Sequence, residues 1–197
     1  MRSILVLAFL TASSPARAER LDGIDPDTVP SQCRPYVHVP SDATNVAPRQ
    51  SARVSLANCL AHARFSAIKT QDPSKLVGAL DQASRQSFAL IDAVASNGDP
   101  HWTLVAEHAR GALLVAMATR VRAAIPREDI ATATAVELTH RNVEAAIAPW
   151  LSRADASFAA VARIADEHPE LANDRLIRNL ERVSRREQTA RARATGV

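Results

Sequence analysis

Glycine and aromatic residues are scarce in this chain, which has 197 residues but only five Gly and seven aromatic side chains. An all-β sandwich or barrel needs many glycine-bearing turns between runs of β-branched and aromatic residues, so the composition argues against that class. It argues equally against a deep, aromatic-lined ligand pocket. Alanine, the strongest helix former, occurs 39 times. The composition therefore predicts an all-α protein.

Long hydrophobic runs are also missing. The apolar run near the N-terminus, Ile4–Leu10, has seven residues, whereas a membrane-spanning helix needs about 20. Arg2 precedes this run, and Ala16-Arg17-Ala18 follows it as a small-x-small cleavage site, which is typical of a secretory signal peptide. We therefore expect residues 1–18 to be removed near Ala18. The mature protein is then exported, periplasmic or secreted, without a transmembrane anchor.

Charge is nearly balanced in the mature chain, which has 22 basic and 21 acidic residues. The distribution is uneven, because residues 175–197 contain seven Arg and two Glu and carry a net charge of +5. Residues 19–174 carry −4. The sequence thus predicts an acidic body with a basic C-terminal helix.

Cysteine is limited to Cys33 and Cys59. In an exported protein an even pair is typical of a disulfide, and closing a loop of about 27 residues would stabilise the fold by about 3–4 kcal/mol. The alternative is a reactive thiol, whose pKa His62 could lower from one helical turn beyond Cys59. We predict the Cys33–Cys59 disulfide.

Proline is concentrated near the N-terminus, where five of the eleven lie in residues 19–48. Each proline fixes φ and removes a backbone donor, so this stretch is neither a helix nor a central strand. We expect an extended, proline-rich arm that the disulfide attaches to the first helix, with Tyr36, Val37 and Val39 packed against the bundle.

Residues 49–197 are divided into helix-length segments. Asp72-Pro73 and Asp99-Pro100 each supply an N-cap acceptor and a first-turn proline. Apolar residues between these signals recur at three- and four-residue spacing. The pattern predicts an antiparallel bundle of four to five helices, beginning near residues 49, 73, 100, 127 and 173.

The sequence does not decide whether the fourth segment is one helix or two. Its apolar phase runs on past Pro149, so it is either one long kinked helix or two helices in line. Pro169 ends it, and the last, basic helix is predicted over residues 173–192.

Glu137 and His140 form an E-x-x-H pattern on the fourth segment, with Glu144 one turn beyond. The spacing resembles half of a ferritin-like di-iron site, but the chain has no second E-x-x-H. His140 also falls on the apolar stripe, where we interpret it as a hydrogen-bonded core histidine. These three residues are therefore weak candidates for metal ligands, and we predict no metal or other cofactor.

Histidine offers one alternative function. His62, His108 and His140 could line a seam of the bundle that binds a metal or a small ligand. His101 and His108 are two turns, about 10 Å, apart on one helix and do not easily share one small ion. We interpret His101 as a helix-start residue beside Trp102, and the pair His101 and His108 as solvated or helix-capping.

Catalytic motifs are lacking. The chain has no G-x-S-x-G, no H-E-x-x-H, no C-x-x-C-H for covalent haem and no glycine-rich phosphate loop. We predict no catalytic residue and interpret the protein as non-catalytic.

The C-terminal arginines have two interpretations. They could be solvated side chains that pair with the acidic body, or they could bind an anionic partner such as lipid head groups, a cell-wall polymer or an acidic protein. Nucleic acid is not expected, because the protein is exported and no aromatic residue follows Phe158 to stack on bases. We expect an exported bundle that binds a protein or an anionic envelope component, through the arginines Arg175, Arg178, Arg182, Arg185 and Arg186.

Overall fold

A computed structural model describes residues 18–40, 46–125 and 133–195, which form a helical bundle with one small sheet. Helices that follow one another in the chain pack together, and the third also contacts the fifth. The predicted all-α antiparallel bundle is confirmed. Its helices are α1 Val46–Ala67, α2 Pro73–Ala95, α3 Pro100–Arg122, α4 Ala133–Glu167 and α5 Arg175–Thr195.

Two of these helices begin where the Asp-Pro signals predict. The side chain of Asp72 accepts a hydrogen bond from the Ser74 amide at 3.0 Å, and Asp99 accepts one from the His101 amide at 2.9 Å. Each aspartate satisfies an amide that the first helical turn leaves without an intrahelical partner. Gly98, between α2 and α3, has a φ of +77°, a conformation that favours glycine.

Helix α4 is continuous through Pro149, which selects the single helix over two helices in line. It has 35 residues, whereas α3 has 23. Arg122, at the end of α3, pairs with Glu144, so the first turns of α4 extend beyond α3. The start predicted near residue 127 lies outside the described residues.

Two groups of apolar side chains form the core. The larger joins the N-terminal segment to α1, α2, α3 and α4, and fully buried members include Leu56, Leu80, Met117 and Ile147. The smaller lies where α3, α4 and α5 meet and consists of Leu104, Val105, Val161, Ile164 and Ile177. Ile177 is the fully buried member from α5, and Leu176 and Leu180 of the same helix pack against the group partly buried.

The N-terminal segment differs from the predicted extended arm. Strands β1 Ala18–Arg20 and β2 His38–Pro40 pair antiparallel, and three short 3-10 helices connect them: Leu21–Gly23, Pro26–Thr28 and Ser31–Val37. Proline is tolerated at the start of such turns because the amide it lacks has no intrahelical partner there. For the same reason α1 can hold Pro48 in its first turn. The helix begins at Val46, so the last three residues of the predicted arm are helical.

The segment is fastened to α1 by a covalent and an ionic contact. The Sγ atoms of Cys33 and Cys59 lie at disulfide distance, 2.09 Å, and neither cysteine is free, so the reactive-thiol alternative is not supported. Arg53 Nε donates to Asp22 Oδ2 at 2.7 Å. Val37 is buried and Tyr36 partly buried against the larger core, as predicted.

Candidate functional site

Helix α5 starts at an aspartate cap that also faces α3. Asp174 Oδ1 accepts a hydrogen bond from the Leu176 amide at 2.7 Å. The other carboxylate oxygen of Asp174 lies 3.6 Å from His101 Nδ1. The His101 ring makes an edge contact with Trp102, as the interpretation of a helix-start histidine predicts. The cap therefore holds the beginning of α5 next to the beginning of α3.

The inner face of α5 is apolar in its first two turns and polar beyond them. Ile177 and Ser184 are buried on the same face, seven residues apart, and Leu180 lies between them half-buried. Ser184 Oγ is 3.0 Å from Nδ1 of His108 on α3. A hydrogen bond thus takes the place of an apolar contact at the middle of this interface.

His108 is not solvated, which corrects the sequence interpretation. Burial lowers the pKa of His108 from 6.5 to about 4, because the charged imidazolium is costly where water is excluded. Its ring also lies beside that of Phe158, with 6.0 Å between the centroids. The imidazole is therefore neutral at pH 7. The sequence could not indicate this burial, because α5 covers His108 from 76 residues away.

The C-terminal half of α5 is tied to α4 by arginine. The guanidinium of Arg191 stacks over the Phe158 ring at 4.9 Å, and its Nε donates to Asp155 Oδ1 at 2.7 Å. Arg185 bridges Glu181 on its own helix, at 2.9 Å, and Asp166 on α4, at 3.2 Å. Two of the seven C-terminal arginines thus pair with the acidic body.

The other five arginines lie on the opposite face of α5. Successive residues of an α-helix are about 100° apart, so these five fall on one side, facing away from Ile177 and Ser184. All five are exposed, and none makes an ion pair within residues 18–40, 46–125 and 133–195. We call this set of five residues the arginine stripe: Arg175, Arg178, Arg182, Arg186 and Arg193.

The stripe overlaps with the predicted contacts but is not identical to them. Arg185, expected among the contacts, is exposed and lies about 20° around the helix from Arg178, but it differs from the stripe members in pairing with Asp166 and Glu181. Arg193 was not expected, although its seven-residue spacing from Arg186 is the signal that places both on one face. Two stripe members bond locally: Arg178 donates to the Ala172 carbonyl at 3.2 Å, and Arg182 donates to Asn179 at 2.7 Å.

The possible metal ligands on α4 are engaged elsewhere or exposed. Glu144 receives two hydrogen bonds from Arg122, at 2.7 and 2.6 Å, which hold its pKa below the usual value. Glu137 is exposed and lies 3.9 Å from Arg141. His140 is exposed and not a core residue, although Val136 and Val143, one turn to either side of it on α4, are buried.

The histidine seam is not formed either. His62 and His140 are exposed on α1 and α4, whereas His108 is covered by α5. Within the part of the chain that the structure describes, no three His, Cys, Asp or Glu side chains are grouped so as to hold a metal ion.

None of the described helices combines the length and the apolar character needed to cross a bilayer.

Comparisons of the chain with protein-family models, with curated proteins and with solved structures find no match.

Proposed function

We propose that this protein is an exported, non-catalytic helical bundle that binds an anionic component of the cell envelope through the arginine stripe. The observation that carries the proposal is the outward position of five exposed arginines that make no ion pair with any described residue. Their charge is available to a partner, whereas the charges of Arg185 and Arg191 are used in holding α5 to α4.

The residue type favours phosphate or carboxylate as the group bound. A guanidinium presents a planar fork of donors that bonds two oxygens at once, and it sheds water more readily than an ammonium group. Several such groups on one face also attract anions over a distance. Because residues 19–174 carry −4, the molecule is electrically polarised, and we expect an anionic surface to meet α5 first.

The apolar residues of α5 favour binding by charge without insertion into lipid. Ile177 is buried, Leu180 is half-buried, and Val183, at the edge of the exposed face, is 36% exposed. An amphipathic helix that enters a membrane buries its apolar face there, but here the bundle already covers that face. Binding should therefore weaken as salt screens the charges.

Export is supported by the N-terminal segment. Glu19, the first residue after the predicted cleavage site, contacts Arg49 of α1 at 2.9 Å, so the mature chain keeps this tie to the bundle. The cysteine pair at disulfide distance is typical of proteins that fold in an oxidising compartment.

The test is sedimentation of the purified protein with vesicles of phosphatidylglycerol and phosphatidylcholine, and with envelope material. The variant R175Q/R182Q/R186Q removes three stripe arginines. The control R85Q/R141Q/R163Q removes the same charge from exposed positions on α2 and α4. We expect the wild type and the control to sediment and the stripe variant to stay in solution. Equal behaviour of the two variants, or no sedimentation of the wild type with any of the materials, would overturn the proposal.

A further inference from the structure

The arginine stripe has the form of a line along the helix axis. With a rise of about 1.5 Å per residue, Arg175 and Arg193 are about 27 Å apart. The intervening members follow at steps of about 4.5, 6 and 6 Å, and a longer step of about 10.5 Å leads to Arg193. Thr189 lies within that last step on the same face, so no acid interrupts the line.

The line is narrow because carboxylates flank it. Around the axis of α5, Glu181 lies about 60° from Arg178 and Glu187 about 100° from Arg186, the stripe members at the two edges. Glu181 is 2.9 Å from Arg185, and Glu187 is 4.0 Å from Arg191. Beyond them, on α4, Asp155 and Asp166 have side chains that are at least half exposed. A broad anionic sheet brought against α5 would approach these acids, whereas a thin chain along the axis would meet only arginine.

The face offers little besides charge. Its remaining outward positions include Asn179, Thr189 and Ala190, and α5 contains no aromatic residue. Stacking on bases therefore has no platform, and the large apolar side chain that acyl chains could contact at the edge of this face is Val183. The groups that such a face recognises are the charged groups of a polymer backbone.

From this placement we infer that the partner of the stripe is an extended polymer with phosphate in its repeating backbone, bound parallel to the axis of α5. The inference rests on the proposed function and specifies its partner. Each guanidinium binds one or two phosphate oxygens, and neighbouring repeats engage neighbouring arginines, so the contacts reinforce one another. A polymer that spans the whole stripe should bind far more tightly than one that reaches only two of its members.

The test compares three probes at equal total phosphate: long-chain inorganic polyphosphate, tripolyphosphate, and phosphatidylglycerol vesicles. Affinity is measured by titration of the purified protein. We expect the long chain to bind at least about tenfold more tightly than either of the others, which corresponds to about 1.4 kcal/mol of binding free energy. The variant R175Q/R182Q/R186Q should lose this preference, while R85Q/R141Q/R163Q should keep it.

The outcomes separate the two proposals. Vesicle binding that depends on the stripe, with no preference for the long chain, would overturn the inference and leave the proposed function standing. Failure to bind polyphosphate and vesicles alike would overturn the inference, and it would count against the proposed function too. A single-stranded oligonucleotide that binds more tightly than polyphosphate would also overturn the inference, because the bases would then contribute.

Discussion

The ring of Phe158 on α4 packs directly against the backbone of Gly111 on α3. A Cβ atom at residue 111 would lie 2.8 Å from both Cε1 and Cζ of that ring. Gly111 is therefore needed to leave space for the Phe158 ring and not for an unusual backbone conformation. The ring held there also supports Arg191 of α5 at 4.9 Å, so the α3–α4 contact extends to the arginine-bearing helix.

Gly111→Ala should destabilise the protein although alanine favours helix. The gain in helix propensity is about 1 kcal/mol, but overpacking against Phe158 costs about 1–3 kcal/mol. We expect a net loss of about 1 kcal/mol in urea unfolding. The control is Gly78→Ala on α2, where a Cβ meets nothing within 4 Å and should stabilise by about 0.5–1 kcal/mol. Stabilisation by both substitutions would contradict the packing described.

Removal of the disulfide should cost about 3–4 kcal/mol of the free energy of unfolding. The variant C33A/C59A avoids free thiols and frees the N-terminal segment from its covalent tie to α1. The loss should appear as a lower urea midpoint, with early hydrogen exchange in residues 18–40. Thiol labelling of the denatured, unreduced wild type should find no free cysteine. Labelling of both cysteines in each molecule would show that the bond is absent.

The helix starts and the cysteine pair were accessible from the sequence because each depends on local chemistry. Asp72 and Asp99 cap their own helices, and the sequence holds two cysteines, the number that one disulfide needs. His140 was misplaced although its phase is correct, because the apolar spacing does not show whether a neighbouring helix covers a side chain at that phase. The burial of His108 and the pairing of Arg185 depend on helices that meet far apart in the chain, and periodicity alone does not encode those contacts.

Stability should fall as pH drops from 6.5 to 4.5. His108 has a pKa of about 4 in the folded protein and about 6.5 when unfolded, so the unfolded state binds more protons in this window. The loss is about 2 kcal/mol over these two pH units. In His108→Gln, which keeps a polar group near Ser184, the slope should flatten. The check is urea unfolding at a series of pH values, and an unchanged slope in the variant would assign the effect to another group.

The two acids that hold α5 on α4 should differ in importance. Asp155 bonds Arg191, whose side chain is 15% exposed, whereas Arg185, the partner of Asp166, is 50% exposed. Asp155→Asn should therefore cost about 1–2 kcal/mol, and Asp166→Asn no more than about 0.5 kcal/mol. Hydrogen exchange of the α5 amides reports the difference locally. Equal protection in the two variants would mean that the Arg191 contact does not hold the helix.

If the arginine stripe binds an anionic partner by charge, that binding must weaken with salt, and the salt dependence measures the stripe's share in it directly. The affinity for long-chain polyphosphate is titrated at several salt concentrations for the wild type, R175Q/R182Q/R186Q and R85Q/R141Q/R163Q. Each arginine that releases a counterion contributes about one to the slope of log affinity against log salt. The slope should become shallower by about three in the stripe variant and stay unchanged in the control. Equal slopes for all three proteins would show that the arginine stripe is not the binding surface.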